Sequence, residues 1–284
     1  MNNTQTQSPI ILMTDFGTRD AYVGMMKGVM LRLCPGVPFI DLTHEIAPQD
    51  VRQAAYVLWS AYRYFPKGSV FLAVVDPGVG SSRRAIAVEA GPFKFVGPDN
   101  GIFQDVLGTI GEWRAVAIDP ANAVPEGLTA TFHGRDLFAP TAARLAAGQP
   151  LESLGTPVTD LVTMRAARLE ITDTTIEGEV LTIDHFGNVV SSIGTCQWQD
   201  DGSLQLTPRL RPDLPTVQFD PKRARVTITR HHFSGIARTY TEVEAGKALA
   251  LINSAGQLEI AVNQGSARDQ LDLLVGNRVT IHLD

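Results

Sequence analysis

Six apolar residues, Val70-Phe71-Leu72-Ala73-Val74-Val75, run straight into Asp76-Pro77-Gly78-Val79-Gly80-Ser81-Ser82-Arg83-Arg84. An unbroken run of β-branched and aromatic residues predicts a strand, and the proline and glycines behind it predict a loop. A loop at the carboxyl end of such a strand is where open α/β sheets hold their ligands. A polar turn with solvated arginines is the simpler reading. Against it, Asp76 closes an apolar strand and is poorly solvated unless something pairs with it. Arg83 can return across the glycine-hinged loop to do so.

Strand and helix signals alternate on either side of this stretch. Ile10-Ile11-Leu12-Met13 is an apolar run ending at Thr14-Asp15-Phe16-Gly17, and residues 20–33 follow at helical spacing until Pro35. Phe39-Ile40-Asp41-Leu42 reads as a strand, and residues 49–65 carry apolar side chains at helical spacing up to Pro66-Lys67-Gly68. Ala85-Ile86-Ala87-Val88, residues 93–96 and Ala115-Val116-Ala117-Ile118 are further strands, with helices over 101–110 and 137–147. Buried strands alternating with helices predict an α/β amino-terminal domain, residues 8–155, with a mostly parallel sheet covered by helices.

Residues 156–168 read as a linker, and from residue 169 the period changes to two. Stretches 176–183, 189–193, 226–229, 249–252, 258–262 and 279–283 are short, β-like and separated by Gly, Asn, Asp and Pro. They predict an all-β, barrel-like carboxyl-terminal domain over 169–284.

Composition narrows the partners. A chain of 284 residues, 44% hydrophobic and 19% charged, has the balance of a globular protein with a real core. Its formal charge of -6 sets up no field that recruits nucleic acid or anionic lipid, so a small molecule is the expected partner. Cys34 and Cys196 are too few for a disulfide framework or a zinc set, which fits a reducing compartment. Residues 1–8 lack the pattern of a secretory signal, and no apolar run approaches a membrane span, so the expected location is cytoplasmic.

Several polar residues sit where chemistry is done. Asp15 ends the first strand, so it should share a sheet edge with Asp76. It reads either as an acceptor for vicinal ribose hydroxyls or as the cap of the next helix. Asp20 has the same two readings and leans towards a cap. His133, in Thr131-Phe132-His133-Gly134-Arg135-Asp136, lies on a loop before a helix and is either structural or functional. The other histidines show no ligand spacing, so no metal site is expected. Gly78-Val79-Gly80 lacks both the Gly-Lys-Ser/Thr ending and the third glycine of nucleotide-binding loops, and Asp76 would repel a phosphate. Asp184-His185-Phe186-Gly187-Asn188 and Asn253-Ser254-Ala255-Gly256 read first as turns between strands.

Taken together these motifs, with Gly97-Pro98-Asp99-Asn100-Gly101 and Val262-Asn263-Gln264-Gly265, resemble the S-adenosyl-L-methionine hydroxide adenosyltransferases, also called S-adenosylmethionine hydrolases, which are related to the fluorinase and chlorinase. The resemblance spans nearly the whole chain. It implies cofactor-free conversion of S-adenosylmethionine to adenosine and L-methionine. It also implies a homotrimer with each substrate between the α/β domain of one subunit and the β domain of a neighbour.

Carried over by matching motif, the hydrolase triad falls on Asp76, Arg83 and His133. Asp15 matches the ribose-binding carboxylate, Asn188 the adenine-binding side chain, and Val262 to Gln264 the strand whose backbone meets adenine. Asp20, Asp184, Ser254 and Glu259 match positions near the methionine moiety. The chain departs from the halogenating relatives at Asp76, Val79 and Gly134, where the fluorinase has tyrosine, threonine and serine. It has Gln49 for a tryptophan and Ala255 for an arginine, and lacks the fluorinase insertion.

Three competing readings follow: a 5′-halogenating adenosyltransferase, a non-catalytic adenosine or S-adenosylmethionine binding protein, and a metal-dependent nucleotidase using Asp15, Asp20 and Asp76.

Overall fold

The computed structural model describes residues 7–123, 129–208 and 211–283, and divides into two compact units between Met164 and Arg165. Most of the amino-terminal stretch read as lacking a secretory signal, residues 1–6, and the last residue of the predicted β domain, Asp284, lie outside the described residues.

The first unit contains strands β1 (Ile10–Thr14), β2 (Phe39–Thr43), β3 (Val70–Val74), β4 (Ala85–Ala90), β5 (Phe93–Pro98), β6 (Trp113–Ile118) and β7 (Gly155–Val158). Its helices are α1 (Tyr22–Leu33), α2 (Val51–Ala61), α3 (Gln104–Ile110), the short α4 (Pro120–Ala123) and α5 (Ala139–Ala146). The strands form one sheet in the order β2-β1-β3-β5-β4-β6-β7. Its two faces are read directly off the alternation in β1. Ile10 and Leu12 pack with Met26 and Met30 of α1 and Ala142 of α5, while Ile11 and Met13 pack with Leu58 and Trp59 of α2. Helices therefore cover both faces.

The sheet is mixed, which corrects the expectation of a mostly parallel one. β2, β1, β3 and β5 run parallel, whereas β5-β4, β4-β6 and β6-β7 pair antiparallel. The reason is local: only Gly91 and Pro92 separate β4 from β5, and so short a link makes a hairpin, since a parallel crossover needs a dozen residues or more. The linker read over 156–168 also begins inside β7, a strand at the sheet edge.

The second unit contains β8 (Leu169–Ile171), β9 (Thr175–Ile183), β10 (Val189–Ser191), β11 (Cys196–Trp198), β12 (Leu204–Leu206), β13 (Val217–Phe219), β14 (Arg225–Ile228), β15 (His231–Ser234), β16 (Ala248–Ile252), β17 (Leu258–Val262), the short helix α6 (Ala267–Leu271) and β18 (Arg278–His282). Eight strands form an antiparallel barrel-like sheet, β15-β14-β18-β9-β10-β17-β16 with β8 on β9, and β11-β12-β13 form a separate meander. Nine-residue β9 joins the two halves of the large sheet. Its first residues pair with β8 and β18 and its last with β10. Among the described residues no helix is long and apolar enough to cross a membrane.

Candidate active site

β1 and β3 are parallel neighbours with Thr14 opposite Val74. That register delivers Asp15 and Asp76 to the same carboxyl edge of the sheet, as their strand ends predict. They line one cavity of about 750 Å³, with Phe16, Gln49, Phe132 and His133 among its walls. That volume lies within the range of small-molecule sites.

Two of the lining side chains, Asp76 and His133, are tied together by Arg83, which stands behind them and is not itself part of the cavity wall. Arg83 Nε donates to Asp76 Oδ1 at 2.8 Å and Nη2 donates to Asp76 Oδ2, a side-on fork that fixes the carboxylate plane. The same Nη2 lies 2.9 Å from His133 Nδ1. A guanidinium can only donate, so Nδ1 accepts, and the neutral ring carries its proton on Nε2. Side-chain exposure is 11% for Arg83 and 6% for Asp76, little enough for the pair to act outside bulk solvent. Burial, then the adjacent Arg83 charge, pushes the His133 imidazolium below its ordinary range despite Asp76 and Asp136 nearby, which favours the same neutral ring.

Local structure holds these groups in place. His133 directly precedes a wide π-type turn, Gly134–Phe138, that runs without a break into α5. Phe138 from that turn lies under the Arg83 guanidinium at 5.1 Å, a cation–π contact that limits where Arg83 can swing. Gly134 is tightly surrounded: a Cβ there would sit 3.1 Å from the Phe132 ring and 3.3 Å from both Met26 Sδ and the Phe16 ring, so those side chains would have to give by a few tenths of an ångström.

Asp15 accepts a hydrogen bond from the Gln49 N–H at 2.8 Å. It does not cap α1, and neither does Asp20, which corrects the leaning towards a cap. The helix begins only at Tyr22, and its N-cap position, Ala21, has no capping side chain. Asp20 is exposed and does not line the cavity. Among the described residues no group of three or more His, Cys, Asp or Glu could hold a metal ion, so the acidic trio of the nucleotidase reading is not assembled.

The second unit carries its own polar cluster. Asp184 Oδ1 accepts the N–H groups of Phe186 and Asn188, and its Oδ2 accepts Asn188 Nδ2, all at 2.9 Å, so this segment is a turn whose acid aims the buried Asn188. β10 pairs with β17 so that Val189 faces Ile260 and Val190 faces Glu259. Asn188 and the segment Val262 to Gln264 therefore share one end of this strand pair. Ser254, exposed in the turn between β16 and β17, is at the other end.

Glu259 is 3% exposed between them, and accepts from Tyr240 Oη at 2.8 Å and Asn253 Nδ2 at 3.1 Å. Burial raises its carboxyl, with Asp184 adding to the effect and the two hydrogen bonds opposing it. Tyr240 and Phe138 are partners that sequence reasoning missed. Nothing in a short Thr239-Tyr240-Thr241-Glu242 turn signals a hydroxyl that reaches across to β17.

An α/β unit whose sheet-edge cavity is lined by a carboxylate and an imidazole that one guanidinium holds, joined to a β unit with a second polar cluster, defines a class of two-domain proteins built for a small polar ligand. Within that class the sequence is specific. Profiles of the SAM hydroxide adenosyltransferase N-terminal and C-terminal domains match residues 10–155 and 178–280, and the chain belongs to that family. A protein of Thermus thermophilus named (R)-S-adenosyl-L-methionine hydrolase is 39% identical over 96% of this chain and 99% of its own. A fluorinase of Nocardia brasiliensis is 29% identical over 99% of each chain. The crystal structure of an uncharacterized conserved protein from Thermotoga maritima superposes with a TM-score of 0.82 at 36% identity, covering 96% of this chain and 99% of that one.

Proposed function

We propose that the protein hydrolyses S-adenosyl-L-methionine, with water attacking C5′ in line with the departing methionine sulfur to give adenosine and L-methionine. The observation that carries the reading is that one guanidinium, Arg83, holds both Asp76 and His133 in the cavity. A sulfonium leaves as a neutral thioether, so the leaving group needs no acid. The demand falls on the nucleophile.

A carboxylate is a far weaker base than hydroxide, so Asp76 does not hold a stock of hydroxide. The proton moves as the C–O bond forms. Each Asp76 oxygen keeps a lone pair beyond the one given to Arg83, and can accept from the attacking water. The Nε2–H of His133 can donate to it. A positioned base contributes about 10²- to 10⁴-fold, and holding water about 3 Å from C5′ contributes more. As the proton moves and sulfur departs, the negative charge on Asp76 and the positive charge on the sulfonium both diminish, which a water-poor cavity favours.

In the same reading Asp15 accepts the ribose hydroxyls, Asn188 and the Val262 to Gln264 backbone meet adenine, and Asp20, Asp184, Ser254 and Glu259 surround the methionine moiety. The active form is a cytoplasmic homotrimer, each site completed by the β domain of a neighbouring subunit, and the reaction calls for no cofactor. The Asp76 carboxylate beside the reacting carbon disfavours a halide nucleophile.

The test is mass spectrometry of products made from S-adenosylmethionine in ¹⁸O-labelled water. Label in adenosine is the expected result. Unlabelled product, 5′-chloro-5′-deoxyadenosine in chloride, or tight binding without product would each sink the reading.

A further inference from the structure

The motif Gly97-Pro98-Asp99-Asn100-Gly101 has no part in the reaction as described, yet it touches both ends of the loop that carries the ion pair. β5 lies between β3, which leads into Asp76, and β4, which follows Arg83 and Arg84. It presses close enough to β3 that a Cβ on Gly97 would be 2.3 Å from the Ala73 carbonyl oxygen.

At the end of β5 the two polar side chains turn opposite ways. Asn100 Nδ2 donates to the Val75 carbonyl at 2.9 Å, and Val75 immediately precedes Asp76. Asp99 Oδ2 accepts from Arg84 Nε at 2.8 Å and its N–H donates to the Arg84 carbonyl at 2.9 Å, and Arg84 immediately follows Arg83. Asp99 is itself fixed: its side chain is 1% exposed and its Oδ1 accepts the Val162 N–H at 2.8 Å.

We infer that Asp99 and Asn100 are positioning residues for the hydrolysis: by gripping Val75 and Arg84 they clamp both ends of the Asp76–Arg84 loop and hold the carboxylate and guanidinium in register. Between those ends the loop is tied by short-range hydrogen bonds of its own, Val79 N–H to the Asp76 carbonyl at 3.2 Å and Ser81 Oγ to the Gly78 carbonyl at 2.7 Å, which shape its interior but do not anchor its two ends to the sheet. The Arg83 fork onto Asp76 depends on backbone held on either side of it. A displacement of about 1 Å in a reacting group can cost about 10²-fold in rate. This inference rests on the hydrolase reading above.

Asn100→Asp removes the donor to Val75 while keeping the acceptor for the Ile102 N–H, and Asp99→Asn weakens the grip on Arg84 with little change of shape. Each full-length variant is compared with wild type for melting temperature, adenosine affinity, kcat and KM with S-adenosylmethionine. The expected result is a fall in kcat of about 10- to 100-fold, with KM and adenosine affinity within about two-fold, in protein still folded at the assay temperature.

A kcat within two-fold of wild type in both variants overturns the inference. So does a kcat that falls only together with folding, or failure of both variants to fold, because the dipeptide then serves the fold alone. Asp160→Ala breaks only the outward ion pair of Arg84 and should leave kcat unchanged; an equal loss there would also overturn it. Wild-type protein that makes no adenosine sinks the hydrolase reading instead, so the two failures are separable.

Discussion

Asp76 and His133 do not touch each other directly in the structure; they meet through Arg83, whose Nη2 donates to a carboxylate oxygen on one side and lies 2.9 Å from an imidazole nitrogen on the other. The guanidinium thereby sets the rotamer of the Asp76 carboxylate and the tautomer of the histidine together. Removing any one of the three disturbs the other two, so their effects should not add.

Asp76→Ala should lower kcat for methionine release by at least about 10²-fold, the low end for a positioned base. Adenosine affinity should stay within a few-fold, because Asp15 and the second unit supply the proposed nucleoside contacts. Single-turnover kinetics beside adenosine titration check this, and near-normal turnover would remove Asp76 from its role.

The pH dependence follows from His133. Its folded-state pKa is lowered from 6.5, mainly by burial, so it should be neutral at pH 7 and protonate only below 6.5. Protonated, Nδ1 can no longer accept from Arg83, so activity should be flat near neutrality and fall on the acid side. A depressed histidine also means that the unfolded chain binds the proton first. Stability from this group is therefore present above 6.5 and lost as pH falls through the folded value. Rate and melting temperature followed from pH 8 to 5 should decline together on that limb, and His133→Gln should flatten it.

Tyr240→Phe deletes one hydroxyl and leaves the buried Glu259 with Asn253 as its remaining donor among the contacts described above. Loss of a donor to a buried carboxylate costs about 1–3 kcal/mol. Chemical denaturation should register that loss, and a midpoint equal to wild type would mean that water replaces the hydroxyl at no cost.

The proposed trimer makes a prediction that a self-contained subunit does not. Asp76→Ala damages the first unit and Asn188→Ala the second. Co-refolding the two inactive variants should restore a fraction of wild-type turnover, as some sites then combine two intact halves. Activity no higher than that of the separate variants would place both halves of a site in one chain.

Much of the architecture was legible in one dimension. β1 and β3 read as apolar runs because strands covered on both faces need no polar alternation, and the later strands showed a period of two. Tyr22–Leu33 and Val51–Ala61 followed from helical spacing and from the prolines beyond them. The short strands Cys196–Trp198, Leu204–Leu206 and Val217–Phe219 were missed, since three residues carry too little pattern. Strand direction was missed as well. Residues 85–88 and 93–96 both read as strands, and the few residues between them are too short for a parallel crossover, so the antiparallel hairpin through Gly91 and Pro92 was within reach of the sequence.

The sequence by itself determined which chemical groups stand at strand ends: Asp15 and Asp76 close apolar runs, and a carboxylate there must find a partner because burial without one is costly. For Asp76 the chain also offers Arg83, seven residues on, as that partner; tertiary structure alone decided what else Arg83 holds. That Arg83 reaches Asp76 and His133 with one nitrogen, that Phe138 lies beneath it, and that Asp99 and Asn100 grip the residues on either side depends on elements far apart in the chain meeting at one sheet edge. Hydrogen bonds and ring contacts act over a few ångströms of space, and the chain order records residue types, not those separations.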